Sequence, residues 1–134
     1  MQRRTFVTAT AATAATLAAP MLRAQTLPNG PVRIIVGFAP GGGTDALARL
    51  VGQKLAAMWN LTVVVENRAG ASGVIAADLV AKAPPDGNTL LMAHINSHAL
   101  APGLMPKLGY VVERDFTPLT LVGVTPNLLV SNLD

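Results

Sequence analysis

An α/β fold built on a parallel sheet is predicted by three features: a nearly unbroken apolar run at Val32–Phe38, two later short β-branched runs, and helical periodicity between them. Strand, helix, strand, helix, strand with right-handed crossovers gives three layers, with helices on the faces of the sheet.

Residues 1–24 read as a removable export leader rather than as fold. Arg3 and Arg4 precede an apolar, small-residue stretch from Phe6 to Leu22, and Ala24 offers a small residue for cleavage, although Leu22 occupies a recognition position that prefers a smaller side chain. The stretch is broken by Pro20 and falls short of the roughly 20 strongly apolar residues that span a bilayer, so no membrane anchor is expected. Gln2-Arg3-Arg4-Thr5-Phe6-Val7 resembles a twin-arginine signal, with Thr8 and Gln2 departing from that pattern; general secretion stays open beside it.

The first strand, Val32–Phe38, is apolar on both faces, as the centre of a parallel sheet requires. Ala39-Pro40-Gly41-Gly42-Gly43 ends it. Thr44 is a candidate N-cap, and Asp45 places a negative charge in the first helical turn, where the macrodipole favours it by about 0.3–1 kcal/mol. Leu47, Leu50, Val51, Leu55 and Met58 recur at helical spacing as the expected buried stripe, and the helix stops near Trp59-Asn60.

Leu61–Glu66 is the second strand and Asn67–Gly73 the loop after it. A second helix from Val74 to Lys82 is expected to bury Ile75, Leu79 and Val80, and Pro84-Pro85-Asp86-Gly87 is strong turn chemistry. Thr89–Ala93 is the third strand, His94–His98 a polar loop, Thr117–Val122 an expected fourth strand and Leu128–Val130 the start of a fifth.

Charge and composition exclude several classes of function. The chain of 134 residues carries ten Lys and Arg against seven Asp and Glu, but Arg3, Arg4 and Arg23 lie in the leader, leaving seven against seven. With no basic run or aromatic-basic interleaving, no nucleic-acid partner is expected. Cysteine is absent, which removes disulfides, thiolate metal sites, a cysteine nucleophile and a lipidated cysteine tether.

Ligands of open parallel sheets sit beyond the carboxyl ends of the strands, where three loops fall: Ala39–Asp45, Arg68–Gly73 and His94–His98. Glycines let the main chain approach a ligand, and N–H groups at a helix start favour anions. Hydrogen bonds to a charged group are worth about 1.5–3 kcal/mol each, so three or four would supply the roughly 8 kcal/mol of micromolar binding to a carboxylate. Such turns also occur for packing alone, and the charge of Asp45 would oppose an anion unless its side chain caps the helix, the role we expect.

Gly41-Gly42-Gly43-Thr44-Asp45-Ala46 also satisfies G-x-G-x-x-A, with Glu66 near the place of a ribose-binding acid, which would make the chain a dinucleotide-binding fragment of an oxidoreductase. Asp45 and the export leader weigh against that alternative. His94 and His98 are four apart but Ile95 stands where a zinc protease needs Glu, so no metal is expected; Ser72 is not in G-x-S-x-G, so no catalytic set is legible.

Arg33-Ile34-Ile35-Val36, Phe38-Ala39-Pro40-Gly41-Gly42-Gly43-Thr44-Asp45, Val63-Val64-Val65-Glu66-Asn67-Arg68, Gly70-Ala71-Ser72-Gly73, Ala81-Lys82-Ala83-Pro84-Pro85-Asp86-Gly87 and Asp115-Phe116-Thr117-Pro118-Leu119 occur in an order that resembles the Bug family. These are TctC-like substrate-binding receptors of tripartite tricarboxylate transporters, and the resemblance runs from about Pro31 to Val130.

The resemblance implies the type II periplasmic-binding-protein fold, here an incomplete three-layer parallel-sheet lobe. Residues 25–122 would form the N-terminal part of a first lobe, and 123–134 the start of a crossover to a second lobe. It implies a periplasmic receptor, not an enzyme, with no cofactor. The ligand would be a small carboxylate (a di- or tricarboxylate, an acidic amino acid or an aromatic acid), and the partners membrane permease subunits. Ligand contacts map onto Phe38, Ala39, Pro40, Gly41, Gly42, Gly43, Thr44 and Asp45, onto Ala71, Ser72 and Gly73, and onto Asn96, Ser97 and His98.

Where relatives often begin the third loop with a Gly-Thr-Asn-type start, this chain has Ala93-His94-Ile95-Asn96. The family is more than twice as long, so a truncated or partial chain that binds weakly or not at all by itself is expected. An exported sensor or interaction module is the third alternative.

Overall fold

The computed structural model describes Pro28 and residues 30–124. The leader and the fifth strand expected at Leu128–Val130 lie outside the described residues, as does most of the segment 123–134. The elements run β1 (Val32–Val36), α1 (Gly43–Trp59), β2 (Val63–Asn67), a 3-10 turn (Ala71–Gly73), α2 (Val74–Ala81), β3 (Thr89–Met92), a π-helical turn (Asn96–Leu100), α3 (Ala101–Leu104) and α4 (Val112–Asp115).

β1 is the middle strand, flanked in parallel by β2 and β3, so that Ile34 stands level with Val65 on one side and Leu90 on the other. The apolar run required such a place: Val32, Ile35 and Val36 are fully buried, each side chain contributing about 1.5–3 kcal/mol. The chain steps from β1 to β2 in one direction and from β2 back past β1 to β3 in the other, so right-handed crossovers put α1 and α2 on opposite faces. Accordingly Ile34 and Val36 pack with Ala48 of α1, whereas Gly37, of opposite parity, lies under the start of α2. A Cβ on Gly37 would fall 2.7 Å from Gly73 Cα and 3.3 Å from Ala76 Cβ, which is why that position has no side chain.

The buried helix faces differ from expectation. α1 buries Asp45, Ala48 and Gly52, with Leu55 partly packed, while Leu47, Leu50 and Met58 are 37, 54 and 76% exposed. α2 buries Ala76 and Ala77; Ile75 is exposed and Leu79 and Val80 are half-buried. Close approach explains both: a Cβ on Gly52 would already stand 3.4 Å from Val63 and Val65 and 3.5 Å from Ile34, so larger side chains there would hold the helix off the sheet.

Three local expectations are corrected. Gly42, not Thr44, is the N-cap of α1, and it makes no side-chain bond; Thr44 lies within the first turn. His94–His98 is not a loop throughout, because Asn96 opens a π-helical turn that runs into α3. Thr117–Val122 forms no strand: the sheet of the described residues has three strands, and Leu119 and Leu121 are 75 and 78% exposed. β-propensity measures fit to a neighbouring strand, and among the described residues this segment has none. The helix end was legible, since Asn60 takes the left-handed conformation (φ 52°) and its N–H bonds the Ala56 carbonyl.

Candidate functional site

The connections leaving β1 and β3 diverge to opposite faces of the sheet, so the strand order reverses between these two neighbours. The carboxyl ends of β1 and β3 thus flank a topological switch point, the place where open α/β sheets form their ligand crevice. Phe38 lies two residues beyond β1 and His94 two residues beyond β3; their rings meet edge to face with centroids 4.8 Å apart.

The glycine loop after β1 is fastened from beneath. Asp45 is 3% exposed; its Oδ2 accepts the Gly41 N–H at 2.9 Å and Arg49 Nε at 3.0 Å, and its Oδ1 accepts Asn67 Nδ2 at 2.9 Å. Asn67 Nδ2 also donates to the Phe38 carbonyl at 3.1 Å, and Asn67 Oδ1 accepts Arg49 Nη2 at 3.0 Å. This network joins four points of the chain: the end of β1, the glycine loop, the first turns of α1 and the end of β2. The Arg49 guanidinium, then the Gly41 N–H, then the Asn67 amide hold the Asp45 carboxyl far below the ordinary aspartate range, and in turn Asp45 raises the Arg49 pKa. The carboxylate therefore reaches back past the N-cap Gly42, rather than facing outward, and it has taken the Gly41 N–H for itself.

The second turn is conformationally unusual. Gly70, Ala71, Ser72 and Gly73 all have positive φ (146°, 44°, 54° and 91°), two of them without glycine's freedom. Such residues persist only where the surroundings enforce them, and they concentrate at functional sites. A Cβ on buried Gly73 would meet Ser97 Oγ at 3.6 Å and the Phe38 ring at 3.7 Å, so all three strand-end segments converge there. Beside them Ala71, Ser72, Val74, Asn96, Leu100, Ala101, Leu104 and Met105 line a largely apolar cleft of about 420 Å³.

The expected contact residues thus separate into groups. Phe38, Gly73 and Ser97 are brought together; Ala71, Ser72 and Asn96 line the cleft; Ala39, Pro40, Gly41, Gly42 and Gly43 are exposed on the glycine loop, with Thr44 half-buried behind them. Asp45 turns beneath the loop. His98 turns into an aromatic cluster, 4.7 Å from the Phe116 ring and 6.1 Å from that of Tyr110 by centroids, with Nδ1 2.9 Å from Ser97 Oγ; burial lowers its pKa.

Tyr110, Arg49 and Asn67 were missed as site residues by sequence reasoning, and His94 was placed only within the polar segment after the third strand. Tyr110 OH donates to the Ser97 carbonyl at 2.6 Å, and burial, then Asp78, raises its pKa. Two signals were available: Arg49 stands four residues after Asp45 on the helix, and strand parity puts Asn67 on the α1 face.

Glu66 does not await a ribose. Arg33 grips it with two bonds of 2.6 and 3.0 Å and Arg68 adds one of 3.1 Å; Arg33 foremost brings its pKa down to about 2 against the desolvation that raises it. The dinucleotide alternative accordingly loses its acid. Among the described residues no group of three or more His, Cys, Asp or Glu is placed to hold a metal, and no helix is long and apolar enough to cross a membrane.

The sequence model of the tripartite tricarboxylate transporter family receptor, TctC, matches residues 47–134. The protein BugT of Bordetella pertussis is 46% identical over 118 residues, which are 87% of this chain and 36% of that protein. Among solved structures, MatC from Rhodopseudomonas palustris with bound malate is 43% identical with a TM-score of 0.67, over 72% of this chain and 33% of the other. The periplasmic binding protein BugD is 40% identical with a TM-score of 0.64, over 69% and 30%. A further R. palustris protein, solved with adipate, is 38% identical with a TM-score of 0.62, over 66% and 29%. The chain spans about a third of the length of the curated relatives it matches, 36% in the case of BugT.

Proposed function

The chain belongs to the tripartite tricarboxylate transporter receptor family, TctC, and from that premise we propose that it captures a small carboxylate-bearing metabolite outside the cytoplasm and delivers it to the transporter's permease subunits. The family and the structural neighbours are binding receptors rather than enzymes. The observation that carries the proposal is the meeting of three strand-end segments at the switch point, with Gly73 packed against both Ser97 and Phe38.

In this reading the ligand lies over the glycine loop and the two segments beside it. Main-chain groups of Phe38–Thr44 and of Ala71–Gly73, with Asn96 and Ser97, make contact, while Asp45 and His98 support from behind. With the Gly41 N–H engaged by Asp45, the carboxylate falls to the later N–H groups at the start of α1, which have no partner within the helix. The neighbours solved with malate and adipate support a carboxylate as the ligand class. The predicted leader supports export to the periplasm with cleavage near Ala24.

Isothermal titration against di- and tricarboxylates, acidic amino acids and aromatic acids tests the proposal. A protein of the relatives' length is expected to bind one of these classes at micromolar concentration or below, and silence across all three would end the reading. The 134-residue chain by itself is expected to bind weakly or not at all, and sub-micromolar affinity would contradict that.

A further inference from the structure

We propose that His94 is a specificity-determining residue, whose Nε2–H donates a hydrogen bond to an oxygen of the bound carboxylate. The inference rests on the receptor reading above and refines it.

The position follows from topology: His94 and Phe38 are the aromatic residues just beyond the two strands that flank the switch point, and their rings meet edge to face. The ring is fixed by a second contact, because the Asn96 N–H donates to His94 Nδ1 at 3.3 Å. An N–H donor makes Nδ1 the acceptor, so the neutral ring carries its proton on Nε2.

The main chain of the same residue is pinned as well. Its carbonyl accepts the Ser97 N–H at 3.2 Å, the His98 N–H at 3.1 Å and the Ser97 hydroxyl at 3.1 Å. Among the described residues, His94 Nε2 takes part in no hydrogen bond, although the residue is half-buried. A donor of fixed tautomer on a half-buried residue beside the expected crevice is complementary to an anionic or hydroxyl oxygen and not to a cationic ligand group.

The test uses a protein of the relatives' length, titrated with malate and with adipate. His94→Phe keeps a ring against Phe38 and removes the donor; it is expected to weaken the bound dicarboxylate about ten- to a hundredfold. His94→Gln, which keeps an N–H donor without the ring, is expected to recover part of that loss.

Equal affinity of His94→Phe and the unaltered protein overturns the role of His94 while leaving the receptor reading intact. Binding of neither dicarboxylate by the unaltered protein overturns a dicarboxylate-receptor reading and this proposal together. Imidazole-nitrogen NMR of the unaltered protein avoids dependence on how a variant folds. It is expected to show the Nε2–H tautomer of His94 and a shift of its Nε2 signal on saturation with malate or adipate, whichever binds. A proton on Nδ1, or an Nε2 signal that ignores the ligand, overturns the proposal.

Discussion

Asp45 illustrates how one side chain changes meaning between a sequence and a fold. Next to a glycine loop, its charge reads as an obstacle to an anionic ligand; buried beneath that loop, it is the anchor for Gly41, Arg49 and Asn67. Its folded pKa is depressed, so the stability it confers is fully present above the ordinary aspartate value of 3.8 and is lost as pH falls through the folded value. Asp45→Asn should therefore melt a few degrees lower at neutral pH, with the gap to the unaltered protein closing below pH 3.8 in thermal scans.

Asn67→Ala strips the Phe38 carbonyl and Asp45 of a donor, an expected loss of about 1–3 kcal/mol in urea unfolding. His98 behaves differently from the carboxylates because burial alone lowers its pKa. Its contribution is full above the ordinary imidazole value of 6.5 and declines below it, so His98→Phe should flatten the acid dependence of stability just under pH 6.5. The spacing of Asp45 and Arg49 is that of a helical pair and was open to reading, whereas the bonds of Asn67 join residues that become neighbours only once the strands align.

Among the elements, those fixed by pattern were readable and those fixed by contact were not. The apolar β1 run, the turn at Asn60 and the limits of α2 follow from local chemistry, and the structure has each of them within a residue or two. The inward faces of α1 and α2 do not, because a periodicity argument weighs bulk, whereas these helices lie so close to the sheet that Ala48, Gly52, Ala76 and Ala77 are the residues that fit. The same closeness makes Gly37 intolerant: Gly37→Ala must push against the Gly73 backbone, and a loss of about 1–3 kcal/mol is expected in chemical denaturation. The strand expected at Thr117–Val122 failed for the converse reason, since its β-branched pattern was present but the described residues supply no strand beside it.

Over the whole molecule, the described residues leave large apolar side chains in water: Leu104, Leu119, Leu121 and Val124 are 75–80% exposed. The 134-residue chain purified alone should accordingly bind an apolar-surface dye and sediment as associated species, and a dye-silent monomer in the ultracentrifuge would contradict this. The family was readable from the ordered set of motifs, and the gathering of three loops beyond the carboxyl ends of the strands from the alternation of strands and helices. The clamp beneath the glycine loop and the hydrogen bonds that pin His94 depend on the folded arrangement and were not legible.

The placement of β1 in the middle of the sheet has a consequence for how the protein is made. Both edges of this most apolar strand are filled by strands that follow it in the chain, the nearer about thirty residues later. During synthesis it is exposed as an unpaired template until Val63–Asn67 arrives, and again in part until Thr89–Met92 closes the second edge. Holdase chaperones that shield nascent segments would find their natural target at Val32–Val36, and slowing translation between the first and second strands should increase aggregation more than slowing it after the third.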